Sequence, residues 1–279
     1  MSTPGREARA HLLIALSAES RDDFELSLCR HLVGEIEADL LGLLIEDARI
    51  EAHARSRLAR EIVLSGEARR LEAATLERQR RARAAAMRRR FEEAAARLGW
   101  RHDFRVVRGD PLAELLTAAA EADVMILPGA EAGAGAAAWS AADLRRLAAG
   151  RLRALLLARP GWARGREIVA VLTGEADAAL SPGSVLGTAL GLANETHSTL
   201  TVVLAGPAAA LAERVAAALP ASGAEPLFGR ILAVPDVAAV ADALRTRGVR
   251  MLVLSAATAE EERAVAALLR LSSSLLWIR

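Results

Sequence analysis

The stretch Arg105–Gly129, RVVRGDPLAELLTAAAEADVMILPG, limits the fold more than any other part of the chain. Arg105–Val107 is a short β-branched run that stops at Gly109. Asp110 is placed to cap a helix, and Pro111 fits its first position, where a missing N–H costs nothing. Leu112, Leu115, Leu116 and Ala119 then fall at helical spacing. Val124–Leu127 is too short for a helix and suits a strand buried on both faces. Gly129 follows where a parallel sheet turns toward its next helix. The sequence therefore predicts a strand–helix–strand unit, whose crossover is right-handed almost without exception.

The rest of the chain reads as more of the same unit. His11–Ser17 is a first strand. Ser20 and Asp23 have capping-box spacing ahead of a helix with Phe24, Leu28, Leu32 and Ile36 on one face. Leu40–Ile45 is a second strand. Arg49–Glu61 has helical composition with few apolar anchors, Ser65-Gly66 reads as a break, and Glu67–Leu98 is predicted helical throughout, with Gly99 as its stop. Trp100–Val107 is a third strand. After Gly129, Ser140 and Asp143 have capping-box spacing before a short helix, and Arg153–Ala158 is a fifth strand.

Residues 160–166, PGWARGR, form the best linker in the chain, and the order then restarts. Strands are predicted at Glu167–Leu172, Leu200–Leu204, Arg230–Val234, Met251–Leu254 and Leu275–Ile278. Helices are predicted from Ser181-Pro182 to His197, from Gly206-Pro207 to Leu219, over Asp236–Arg247, and to Leu271 behind a Thr258/Glu261 capping pair. Two halves thus share five strands and four helical connections in one order, as expected of a domain-scale repeat. The last strands even read alike, RALLLAR and SLLWIR. The expected units are residues 1–159, with a long helical insertion at 47–99, a linker at 160–166, and residues 167–279.

Composition narrows the function. A hydrophobic content of 53% supports a real core. The net charge of +1 gives no global pull toward nucleic acid or anionic membranes. All 36 basic residues are Arg and Tyr is absent, a compositional bias that discounts Arg counts as functional evidence. Cys29 is the single cysteine, so no disulfide can form within the chain. No apolar run approaches the length of a membrane span. These features point to a cytoplasmic protein.

With both halves laid out, the chain resembles a tandem universal stress protein. In the first half the resemblance rests on Leu12–Ser17, Leu40–Ile45, Gly109-Asp110-Pro111, Ala122–Gly129 and Leu155–Arg159. In the second it rests on Ile168–Thr173, Val249–Leu254 and Leu276–Arg279. The resemblance implies an α/β fold of two tandem open five-stranded parallel sheets flanked by helices. It further implies pairing of the last strands within one chain, as a built-in pseudo-dimer, and a crevice for ATP beyond the strand C-termini. A crevice there also follows from the general rule for such sheets.

The family's phosphate loop has the pattern G-x2-G-x9-G-[S/T], in which backbone N–H groups close on phosphate. Here Gly129 takes the first position, but Ala132, Ala142 and Asp143 take the others. The second half offers Leu254–Thr258, without glycine. The Asp with which relatives end the first strand is replaced by Ser17 and Thr173. The expectation is a degenerate nucleotide motif, no cofactor and no catalysis, in a stress-related or regulatory protein with a protein partner and a possible homodimer. An alternative is an adenine-nucleotide-binding weak ATPase whose first-half crevice is lined by Ser17, Glu19, Gly109, Asp110 and Gly129. A second alternative is nucleic-acid binding through Arg78–Arg90. The plain reading of that stretch is a solvated or partner-facing helix face, since no aromatic residue interleaves with the arginines to stack on bases. Glu77–Arg81, Arg88–Glu92 and Glu93–Arg97 are spaced to pair along it. His11, His31, His53, His102 and His197 are scattered, without metal-ligand spacing.

Overall fold

The computed structural model describes residues 9–16, 32, 37–49, 60–62, 68–70, 73–129, 139–159, 165–181, 183–221 and 228–279. The first-half strands are β1 (Ala10–Leu16), β2 (Ala38–Asp47), β3 (Arg60–Ile62), β4 (Ala68–Arg70), β5 (Arg101–Gly109), β6 (Val124–Pro128) and β7 (Ala154–Ala158). Those of the second half are β8 (Glu167–Leu172), β9 (Thr199–Ala205), β10 (Phe228–Val234), β11 (Val249–Ser255) and β12 (Ser274–Ile278). The helices are α1 (Ala73–Leu98), α2 (Pro111–Ala119), α3 (Ala141–Ala148), α4 (Val185–Thr196), α5 (Ala212–Ala221), α6 (Ala238–Leu244) and α7 (Glu262–Leu268).

Ten strands make one sheet in the order β10-β9-β8-β11-β12-β7-β6-β1-β2-β5. Within each half of this sheet every pairing is parallel, while β3 and β4 form a separate antiparallel pair. The halves meet where β12 runs antiparallel to β7, with Leu276 opposite Leu156 and Trp277 opposite Leu155. The expected five-plus-five order is present, and the last strands pair within the chain.

Strand side chains alternate between the two faces of the sheet. Leu12, Ile14 and Leu16 share one core with Phe91 of α1, Leu186 and Leu190 of α4, and Val215 of α5. Leu13 and Ala15 share the other with Leu115 of α2, Leu144 of α3, Val240 of α6 and Val265 of α7. Each core runs across both halves, because Leu276 and Ile278 of β12 join the first and Leu275 and Trp277 the second. With helices on both faces the central strands read as continuous apolar runs, as parallel strands must.

The arginine just past each last strand crosses the seam. Arg159 donates from Nη2 to the Leu269 carbonyl at 2.6 Å, behind α7. Arg279 donates to the Gly150 carbonyl at 2.7 Å and the Ala148 carbonyl at 3.4 Å, behind α3. Each half thus places a cation on the C-terminal carbonyls of the other half's last helix, the favourable end of the helix dipole for positive charge.

Local expectations hold at several points. Asp110 caps α2, accepting from the Ala113 N–H at 3.0 Å, and Pro111 opens it. Ser140 and Asp143 form a reciprocal capping box on α3. Gly99 ends α1 with φ +72, a conformation that costs glycine nothing. Three expectations are corrected. Ala68–Arg70 is a strand paired with Arg60–Ile62, not the start of the long helix; the β-branched Ile62-Val63 pair ahead of Ser65-Gly66 is a hairpin signal that helical composition concealed. Thr258 does not cap a helix: its hydroxyl donates to the Ser255 carbonyl at 2.6 Å inside a 3-10 turn, and α7 begins only at Glu262. The helix expected from Ser181 begins at Val185, because Ser184 is the residue whose hydroxyl accepts from the Gly187 N–H, at 3.2 Å. Leu32 is helical and packs on the first core, while the rest of the helix face expected there, and Cys29, lie outside the described residues.

The seam carries a direct test. Leu276 is 0% exposed and contributes to the core that runs through both halves. Leu276→Ala is expected to destabilise the whole chain by about 2–5 kcal/mol in urea denaturation, in a single transition rather than by melting the second half alone.

Candidate functional site

Strand order reverses between β1 and β6 in the first half and between β8 and β11 in the second, so each half has a crevice at its strand C-termini. Of the residues expected to line the first crevice, Gly129 is there, just past β6. Gly109 and Asp110 lie at the end of β5, three strand spacings from β6, or about 14 Å. Ser17 and Glu19 lie outside the described residues. The structure therefore does not bring Gly109 and Asp110 together with Gly129.

At the first crevice Gly129, Ser140 and Asp143 already have partners. The Gly129 N–H donates to the Ala158 carbonyl at 2.6 Å. A Cβ at Gly129 would lie 2.8 Å from Arg159 Cγ and 2.9 Å from the Ala158 oxygen, so close passage of β7 explains the glycine without a ligand. At the N-terminus of α3 the Asp143 carboxylate accepts from the Ser140 N–H at 3.0 Å and from its hydroxyl at 2.7 Å. The Asp143 N–H donates back to the Ser140 hydroxyl at 3.1 Å. The positive end of this helix is thus neutralised by its own carboxylate. Trp139, which the sequence reading passed over, donates its indole N–H to the Pro128 carbonyl at 3.1 Å and packs on the core below. An aromatic residue just ahead of a capping box was the available signal.

The second crevice is closed in the same way. The Thr173 N–H and hydroxyl both donate to Asp177, at 2.8 and 2.7 Å. Asp177 is 9% exposed and sits on a 3-10 turn formed by Ala176–Ala178. Past β11, the Ser255 hydroxyl accepts from the Ala257 N–H at 3.3 Å, and Thr258 is buried beneath the turn.

A third concavity lies at the sheet edge. Phe91 seats α1 on the sheet, with its ring over Gly42 of β2, where a Cβ would come within 2.9 Å, and 5.8 Å from the Phe104 ring of β5. A groove of about 720 Å³ opens between the other side of α1 and the C-terminal part of β5. Two acids and a set of arginines line it. Glu46 accepts from Arg80 at 2.8 Å and from Arg108 at 2.7 Å. Glu77 accepts from Arg81 at 2.9 Å and from Arg108 at 3.0 Å. The hydrogen bond from Arg81, then that from Arg108, holds the Glu77 carboxyl below the usual carboxylate range, so the Glu77 pairs weaken as pH falls through that lowered value. Arg88 lies 5.0 Å from the Phe104 ring centroid and 3.8 Å from Glu92. The expected Glu77–Arg81 and Arg88–Glu92 pairs are present. Among the described residues no three His, Cys, Asp or Glu side chains gather as metal ligands, and no helix is long and apolar enough to cross a membrane.

Gly129 separates a structural from a ligand-holding role. Gly129→Ala is expected to lower stability by about 1–3 kcal/mol in urea denaturation without any ligand present, because the new methyl meets the β7 backbone. A glycine kept only for ligand approach would tolerate the change.

No family model matches the chain, and no characterised protein sequence matches it significantly. Solved structures do match along nearly its full length. A universal stress protein from Archaeoglobus fulgidus superposes with a TM-score of 0.56 at 10% identity, covering 96% of each chain. A functionally unknown protein from Pseudomonas aeruginosa PAO1 gives 0.56 at 14% identity, covering 98% of this chain and 93% of that one. A universal-stress-protein candidate from Pseudomonas aeruginosa UCBPP-PA14 gives 0.56 at 13%, with coverages of 98% and 94%. At these identities the likeness is one of fold, and the fold is that of the universal stress proteins, present here as two halves of one sheet.

Proposed function

We propose that this chain is a non-catalytic, cytoplasmic binding protein of the universal stress type, acting in a stress or regulatory setting through a partner rather than through bound ATP. The observation that carries the reading is that the key polar groups described at both crevices are matched internally. Gly129, Ser140 and Asp143 are occupied in the first half, and Thr173 and Asp177 in the second. A triphosphate needs free N–H donors and positive potential, whereas the described residues offer carboxylates at Asp143 and Asp177. The single cysteine supports a reducing compartment.

The test is a thermal-shift titration of the full chain with ATP and magnesium, alongside native mass spectrometry of the purified protein. The expected result is no shift and no adenine nucleotide carried through purification. A ligand at a hundredfold its Kd stabilises by about 2.7 kcal/mol, which for a chain of this size is a rise of about 5 °C or more. A rise of that size, or co-purified ATP or ADP, would refute the reading.

A further inference from the structure

We propose that the groove between α1 and β5 is a docking site for an acidic, extended segment of a partner protein, added along the free edge of β5. The inference rests on the reading above that the chain works through a partner, and it names where and with what chemistry.

The first observation is the edge itself. Among the described residues β5 pairs with β2 alone and ends the sheet. Free strand edges are usually protected, and this one is protected at one residue. The Phe104 N–H donates to Asp103 Oδ1 at 2.8 Å, and the Phe104 carbonyl accepts from Arg88 at 3.3 Å. Main-chain groups of a parallel strand alternate in direction with period two, so Val106 and Arg108 present theirs to the same outer side as Phe104. No side chain among the described residues covers them there. Val106 is also a large apolar side chain left 41% exposed.

The second observation is charge. The chain as a whole is nearly neutral, yet α1 alone carries eight arginines against three glutamates. Three of the groove's arginines, Arg81, Arg88 and Arg108, already face carboxylates of this chain. Arg89 lines the same groove with no hydrogen bond or ion pair among the described residues. The wall is thus built to take carboxylates and has one guanidinium open. Beside it Ala84, Ala85 and Val106 give an apolar strip. An extended peptide alternates its side chains, so acidic residues can meet the arginines while the intervening ones lie on that strip. Nucleic acid fits less well. Among the described residues no aromatic ring lines the groove for stacking on bases.

The test is fluorescence polarisation on the full chain with a fluorescein-labelled alternating Glu-Val octapeptide. A Lys-Val octapeptide and a mixed-sequence DNA duplex run in parallel. The acidic peptide alone is expected to bind, more weakly as salt rises. Arg89→Glu, at an exposed side chain with no partner among the described residues, is expected to weaken binding about tenfold or more. Val106→Pro removes the outward N–H and is expected to weaken it as well, with the fold checked by circular dichroism; if that variant does not fold, Arg89→Glu decides. The proposal fails if the acidic peptide does not bind, if Arg89→Glu binds it unchanged, if a folded Val106→Pro does so, or if DNA binds in preference. Failure here leaves the nucleotide experiment as it was, and a nucleotide in the crevices would not account for peptide binding at β5.

Discussion

The antiparallel pairing of β7 with β12 is the interaction on which the remaining structure depends. Each half, taken alone, would end in an open strand carrying leucines on both faces: Leu155–Leu157 in one, Leu275 and Leu276 in the other. Open edges of that kind recruit other chains. Joined, these side chains are all 2% exposed or less. The two arginines that follow make the joint reciprocal, since each satisfies carbonyls behind the partner half's last helix. That is the self-complementary logic of a two-fold dimer interface, carried out within one polypeptide. It also fixes both switch-point crevices on one rigid sheet, so the outer strands β5 and β10 become the surfaces on which the halves are free to differ.

They differ most in the connection between the second and third strands of each half. From β9 to β10 the chain uses a 3-10 turn, Gly206–Leu211, and the ten-residue α5. From β2 to β5 it uses a hairpin and the 26-residue α1. The longer helix is held by few contacts of high quality. Phe91 fills the space left by Gly42, Met87 and Ala95 bury beside it, and Arg80 reaches the nearly buried Glu46. Anchoring on one face leaves Arg89 with no hydrogen bond or ion pair to the sheet among the described residues.

Much of this was legible in the sequence because buried parallel strands have no polar face. Short runs such as Val124–Leu127 and Glu167–Leu172 have few readings besides strand, and ten of them in two matching orders imply two like sheets. The caps at Asp110 and Ser140 were legible because they involve only neighbours in sequence. Contacts between distant residues were not. The sequence marks Gly129 as a possible phosphate-loop glycine, and only the approach of Arg159 and Ala158 shows the other reason for it. Thr258 has the spacing of a cap, but burial under its turn directs the hydroxyl to Ser255 instead. The Arg80–Glu46–Arg108 cluster joins three elements, and no local spacing rule relates Glu46 to Arg108.

The same accounting of donors and acceptors favours the proposed groove over two concavities that stand where such folds usually bind ligands. At Thr173 a ligand must displace Asp177, an acceptor tethered four residues away and therefore present at high effective concentration. Leaving that carboxylate unpaired in a nearly buried position adds about 1–3 kcal/mol against the ligand, before its repulsion of a phosphate is counted. The Ser140–Asp143 box sets a smaller barrier of the same kind in the first half, where its hydrogen bonds are exposed. Along α1 the balance is opposite. Neither the Arg89 guanidinium nor the outward main chain of Val106 has a partner among the described residues, so a ligand there completes hydrogen bonds instead of exchanging them. Position in the fold locates the crevices, but it is the state of their donors before any ligand arrives that decides which surface binds.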